Sequence, residues 1–183
     1  MKPAVASLPS DTEVLVQRSF DAPATLVWRA YMEPALLRRW CTGMPGWSMP
    51  ICEMDMRVGG KYRWRWRSDD NSQEFGFFGD VLEVVPHTKI VHTQAFDPGD
   101  LGVSMGGEPA IITVTFLETS GITHVTTNIK YASKADRDAA FATELVAGTC
   151  RAFGLYDAII ASAGGRPLRS LQPAVVDLLR LGT

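Results

Sequence analysis

The chain has 183 residues, of which 46% are hydrophobic and 21% charged, and a formal net charge of −2. That length makes one domain with room for a packed core, and the composition is that of an ordinary globular protein. A near-neutral balance without a lysine or arginine run excludes the basic stripe of a nucleic-acid binder, and no stretch approaches the ~20 apolar residues of a membrane span.

Residues 1–11 lack the apolar core of a signal peptide, so a cytoplasmic location is expected. They carry Pro3, Pro9 and small polar side chains and are expected to form a mobile leader ahead of one domain over residues 12–163. Val14, Val16 and Phe20 alternate with Leu15, Gln17 and Ser19, which predicts a strand. Asp21 and Pro23 start a short helix through Val27, Trp28 and Ala30; Pro34 opens a second through Leu36, Leu37 and Trp40, ending near Gly43. Pro45, Gly46 and Pro50 mark a loop that carries Trp47.

The next segment is a hairpin. Cys52, Met54 and Met56 alternate with Glu53, Asp55 and Arg57; past Gly59 and Gly60, Tyr62, Trp64 and Trp66 alternate with Lys61, Arg63, Arg65 and Arg67. A two-residue loop would mix the two faces, because one step of register moves every side chain to the other side of the sheet. A connection through Val58, Gly59 and Gly60 keeps them apart, pairing Met56 with Tyr62 and Met54 with Trp64 inside, and Asp55 with Arg63 and Glu53 with Arg65 outside. A shift by two residues preserves the same faces, so the parity is fixed and the partners are not.

Asp69, Asp70, Asn71 and Ser72 form a turn, and residues 75–85 a strand in which Gly76 and Gly79 mark bulges or close approaches. Residues 90–96 are a further strand, a glycine-rich segment follows to Pro109, and residues 111–117 and 122–131 make a last hairpin around Ser120 and Gly121. From Ser133, a good N-cap, about thirty residues run to Ala163 without proline, which predicts one long helix. Phe141, Leu145, Thr149, Ala152, Tyr156 and Ile160 fall on one stripe that Phe153 widens, and only a sheet can cover so long a face. The fold class is therefore α+β, a curved antiparallel sheet of about seven strands gripping a long C-terminal helix, with two short helices after the first strand. Residues 164–183 form a C-terminal extension whose short apolar helix, Pro173 to Leu181, either packs on its own domain or makes a homodimer or partner contact.

Phe20, Asp21, Ala22 and Pro23, then Val27, Trp28, Arg29 and Ala30, Pro34, Leu36, Leu37 and Trp40, followed by Glu53 to Arg57 with Gly59 and Gly60, and Gly79 with Glu83 to Pro86, together resemble the family of activator-of-heat-shock-protein-90-ATPase homologues. The likeness runs from Glu13 to Ser162. It implies the START-like, helix-grip fold shared with the birch-pollen allergen, and a cavity between sheet and helix that holds hydrophobic molecules. Many relatives have a second tryptophan where this chain has Cys41, and a Gly-Trp pair where it has Gly148 and Thr149. Either the cavity is enlarged near Thr149, or a neighbour such as Phe153 or Trp66 fills the gap.

The expected ligand is a small hydrophobic molecule, lined by Trp40, Trp47, Met54 and Met56, by Tyr62, Trp64, Trp66 and Phe77, and by His92, Thr149 and Phe153. Cys41, Cys52 and Cys150, an odd number at unrelated spacings, read as buried free thiols. His87, His92 and His124 lack metal-ligand spacing, so no metal, cofactor or catalytic residue is expected. Two other readings follow from the resemblance: a co-chaperone surface acting on an ATPase chaperone, and a cyclase- or aromatase-type enzyme, for which only His92 and Tyr62 could supply an acid or base.

Overall fold

Alternation at a period of two organises most of this chain. The computed structural model describes residues 4–41, 46–99 and 107–142. In chain order the elements are β1 (Val5–Ser10), β2 (Glu13–Phe20), α1 (Ala24–Met32), α2 (Pro34–Trp40), β3 (Trp47–Met54), β4 (Lys61–Ser68), β5 (Glu74–Val85), β6 (Lys89–Asp97), β7 (Ala110–Thr119), β8 (Ile122–Lys130) and α3 (Lys134–Ala142). The strands form one antiparallel sheet in the order β1-β2-β8-β7-β6-β5-β4-β3, so the class is α+β.

One face of the sheet is apolar. Val14, Val16 and Phe20 of β2, Ile112, Val114 and Phe116 of β7, and Val125 and Ile129 of β8 are all buried there. α1 covers part of this face through Val27 and Trp28; the rings of Trp28 and Tyr31 meet Phe116 edge-on at 5.3 and 5.1 Å. No side chain of its own caps α1. Instead the Glu118 carboxylate accepts the Ala24 N–H at 2.8 Å, placing negative charge at the positive end of the helix. Trp40 of α2 is fixed by its indole N–H, which donates to the Ala30 carbonyl at 3.0 Å.

Among the described residues there are eight strands rather than about seven, because residues 5–10 form a strand where a mobile leader was expected. Each residue of β1 is exposed, so backbone pairing with β2 holds it, helped by Arg137, whose guanidinium donates to the Ser10 carbonyl at 3.0 Å. Ser133 does cap α3, its hydroxyl accepting the Asp136 N–H at 3.1 Å. The rest of the predicted long helix, with Thr149, Cys150 and Phe153, lies outside the described residues, as does the extension over 164–183.

The β3–β4 hairpin keeps the expected parity. Cys52, Tyr62 and Trp66 are buried and Arg63 is exposed. The register is offset by two: Met54 pairs with Tyr62, Cys52 with Trp64 and Glu53 with Arg63. The connection is residues 55–60, longer than three, closed by the Asp55 N–H on the Lys61 carbonyl at 2.9 Å. The outer charge pairs also differ. Asp55 takes Arg57 at 2.9 Å rather than Arg63, and Arg65 reaches Glu74 at 3.2 Å and Asp97, across β5 and β6, rather than Glu53. Trp47 is the first residue of β3, not a loop residue, and its ring lies 5.2 Å from that of Phe75.

Candidate functional site

The inner face is sealed at one end and open at the other. Across β2, β8 and β7 the inward apolar side chains are nowhere more than 6% exposed. Across β3 to β6 the inward residues alternate between buried and half-buried: Met54, Trp64, Phe75, Phe77 and Phe96 stay partly exposed beside buried Cys52, Tyr62, Trp66, Val81 and His92. Cross-strand registry brings them together, since Trp64 faces Phe77 and Phe77 faces Phe96. Trp66 stacks on Phe75 at 5.4 Å and meets Phe77 edge-on at 5.8 Å, while Phe77 and Phe96 lie 5.6 Å apart.

A polar cluster sits within this aromatic wall. Tyr62 pairs with Gly79, and because Gly79 has no side chain the Tyr62 ring can cross β5 and reach β6. There its hydroxyl donates to the Thr93 carbonyl at 2.9 Å. The approach is tight: a Cβ on Gly79 would stand 2.0 Å from that same carbonyl oxygen. His92 Nδ1 lies 3.2 Å from both the Tyr62 hydroxyl oxygen and the Thr93 oxygen. A carbonyl only accepts, and Tyr62 has already committed its hydrogen, so Nδ1 carries the proton. Burial pulls the His92 pKa down to about 4, against the opposing pull of the Thr93 bond, and the ring is neutral. Burial first, and Asp80 second, raise the Tyr62 phenol.

Trp40, Trp64 and Trp66 differ in what their indole N–H groups meet. Trp40 and Trp66 donate their indole N–H groups to the carbonyls of Ala30 and Cys41, at 3.0 and 2.7 Å. The Trp64 Nε1 is buried and has no hydrogen-bond partner. An indole N–H withdrawn from water without an acceptor is costly to leave unmade.

The structure thus brings together six predicted residues: Met54, Tyr62, Trp64, Trp66, Phe77 and His92. Met56 follows the end of β3, packed on the rim of the core, and Trp47 lies at the far edge against Phe75. Trp40 belongs to α2, with its ring 5.3 Å from that of Tyr31. Burial raises the Cys41 thiol to about 12 and raises Cys52 as well, so both stay protonated and poorly nucleophilic. His124 is exposed against the Ser19 hydroxyl at 2.8 Å, and His87 is exposed in a turn with its ring 5.6 Å from Trp28. Among the described residues no group of histidine, cysteine and carboxylate side chains could hold a metal ion.

Sequence reasoning missed Phe75, Phe96 and Arg18. Arg18 occupies the inward register of β2 between Val16 and Phe20 and is 9% exposed, its guanidinium 5.6 Å from the Phe20 ring. Desolvation lowers its pKa to about 10. The signal was present in the sequence, as an arginine in step with Val14, Val16 and Phe20.

Comparison with solved structures gives the same architecture. A Rhodobacter sphaeroides protein is 25% identical with a TM-score of 0.78, covering 88% of this chain and 99% of that one. Protein Ms6760 from Mycobacterium smegmatis is 21% identical with a TM-score of 0.75, covering 86% of this chain and 96% of its own. DynU16, encoded in the dynemicin biosynthetic locus, shares the fold at 21% identity and a TM-score of 0.59, over 87% of this chain and 49% of its own. A different kind of match is "Putative methyltransferase Rv1407" of Mycobacterium tuberculosis, 62% identical over 47 residues, which is 26% of this chain. The chain spans about a tenth of the length of the curated relatives it matches, so their activity does not transfer. The family model described as "Activator of Hsp90 ATPase homolog 1-like protein" matches residues 21–149, well over half the sequence. In motifs, in sheet topology and across that span, the chain belongs to the activator of Hsp90 ATPase homolog 1-like family.

Proposed function

We propose that this protein binds a small hydrophobic molecule with an aromatic part, held between the open half of the inner face and the long helix predicted after Ser133. The supporting observation is the contrast along one face: the β2, β7 and β8 side chains are sealed, whereas Met54, Trp64, Phe77 and Phe96 remain partly exposed in a ring-lined patch. Small-molecule pockets are lined in this way, by aromatic and apolar side chains with a few polar groups among them. No group is assigned a catalytic role, because the Tyr62 hydrogen is committed to Thr93 and both described thiols are held protonated.

Native mass spectrometry of gently purified protein tests the reading, followed by titration with a naphthalene-type probe monitored by tryptophan fluorescence. A bound small molecule, or saturable quenching that Phe77→Asp abolishes in a folded variant, supports it. A bare mass together with non-saturable probe behaviour sinks it.

A further inference from the structure

The open sheet has two ends, and they are built differently. β3, at one end, carries Pro50, which has no N–H to offer and whose carbonyl already accepts from the Arg38 guanidinium at 3.4 Å. The pairing of β3 with β4 also shifts between Ser48 and Ile51, and such an irregularity bends an edge away from a straight neighbour. β1, at the other end, pairs with β2 alone among the described residues. Its last two residues are occupied: Pro9 lacks an N–H, and the Ser10 carbonyl accepts from Arg137. From Val5 to Leu8, alternate residues turn both N–H and C=O away from β2. Every side chain there is exposed, Val5 at 59% and Leu8 at 52%.

Charge identifies the occupant. Of the eight strands only β1 has no charged residue; each of the others carries an aspartate, glutamate, lysine or arginine. An edge that selects a charged peptide needs a complementary charge, and an edge that stays solitary uses charge to repel neighbours. A strand that pairs with its own copy must have none, because two-fold pairing sets like residues against each other. Opposed side chains share a face, so the axis passes through a residue rather than between two. At the centre of Val5–Leu8 that residue is Ala6 or Ser7, both small and uncharged.

We infer that β1 is a homodimerisation edge: Val5–Leu8 pairs antiparallel with the same residues of a second copy, joining two eight-stranded sheets across a two-fold axis at Ala6 or Ser7. Four residues make a small contact, so the dimer forms in the roughly micromolar-to-millimolar range.

Sedimentation equilibrium on the full chain, from about 1 µM to 1 mM, reads the dimer directly. The expected result is a mass that rises with concentration from 20.0 kDa toward twice that value. Ala6→Lys, at an exposed position, should weaken self-association by about tenfold or more at an unchanged thermal midpoint, and Ala6→Glu should do the same. Mixing the two variants should restore the dimer, because lysine then meets glutamate across the seam. Should Ala6→Lys lower the thermal midpoint, Ser7→Lys and Ser7→Glu repeat the comparison at the neighbouring position. A mass fixed at 20.0 kDa throughout overturns the inference. So does undiminished dimerisation of the charged variants, which would put the contact elsewhere, the extension over 164–183 included. A mixture that stays monomeric overturns it as well, since opposite charges on a shared seam attract.

Discussion

Tyr62, His92 and Thr93 share two hydrogens among three polar positions, and this fixes what each side chain can contribute. Removing the phenol oxygen in Tyr62→Phe deprives the Thr93 carbonyl of its closest donor and His92 Nδ1 of one of two acceptors. The expected loss is ~1–2 kcal/mol by urea unfolding, since the His92–Thr93 bond survives. His92 carries a sharper pH signature. Its folded pKa of about 4 lies below the ordinary 6.5, so the unfolded chain binds the proton more readily. The benefit of burying a neutral ring is therefore complete above pH 6.5, declines as the pH falls, and is fully lost near pH 4, a swing of up to ~3 kcal/mol. The carboxylates held low by partners, Asp97 and Asp138 among them, lose their contributions at lower pH, starting from their ordinary carboxylate range. His92→Gln should flatten the stability slope between pH 6.5 and 4.5 and leave the steeper acid limb in place. A variant with the same slope as the parent would show that His92 titrates normally.

At the scale of elements, two glycines separate steric from conformational demand. Gly59 has a φ of +80° in the β3–β4 connection and nothing within 4 Å of where a Cβ would sit. Alanine there should cost only the ~1–2 kcal/mol of a left-handed conformation. Gly79 has the opposite problem, a Cβ meeting the Thr93 backbone oxygen at 2.0 Å, where neither strand can yield without losing the β5–β6 ladder. Gly79→Ala should cost ~3 kcal/mol or more and disorder the Tyr62 hydroxyl bond, a class of damage that simple overpacking of a flexible core does not cause. Equal urea midpoints for the two variants would refute the close approach. The hairpin also shows what a period of two can and cannot specify. Inward Tyr62 and Trp66 and outward Arg63 were legible because parity survives any even shift of register. The partners were not, because the connection is six residues long and Arg65 finds its acids on β5 and β6, which no local pattern reveals. β1 was illegible for a related reason: with every side chain exposed it has no buried face, and only backbone bonds define it.

Across the whole molecule, the deeply buried core and the proposed binding surface occupy different halves of one face. α1, β2, β7 and β8 contribute the most deeply buried side chains, while β3 to β6 keep half-buried rings beside an unpartnered indole N–H. The sequence exposed most of that open half, because tryptophan, tyrosine and methionine alternate visibly along β3 and β4. It concealed how α1 meets the other half, where the rings of Trp28 and Tyr31 pack on Phe116. A ligand held by the open half should stabilise the folded state by about 2.7 kcal/mol at a hundred times its Kd. For a chain of this length, that raises the thermal midpoint by ~5–10 °C. Hydrogen exchange locates the effect. Amides of β4, β5 and β6 should slow on addition of 2-naphthol, a naphthalene-type probe, while those of β2 and β8, whose inward side chains are already buried, stay unchanged. A chaperone-docking protein would behave differently, with protection induced by the partner ATPase on the outer surface and no response to a small phenol. Slowed exchange confined to the outward residues of the sheet would therefore favour the co-chaperone reading over the pocket. Slowing of β4 to β6 by the phenol alone would tie recognition to the aromatic wall around Tyr62, Trp64 and His92.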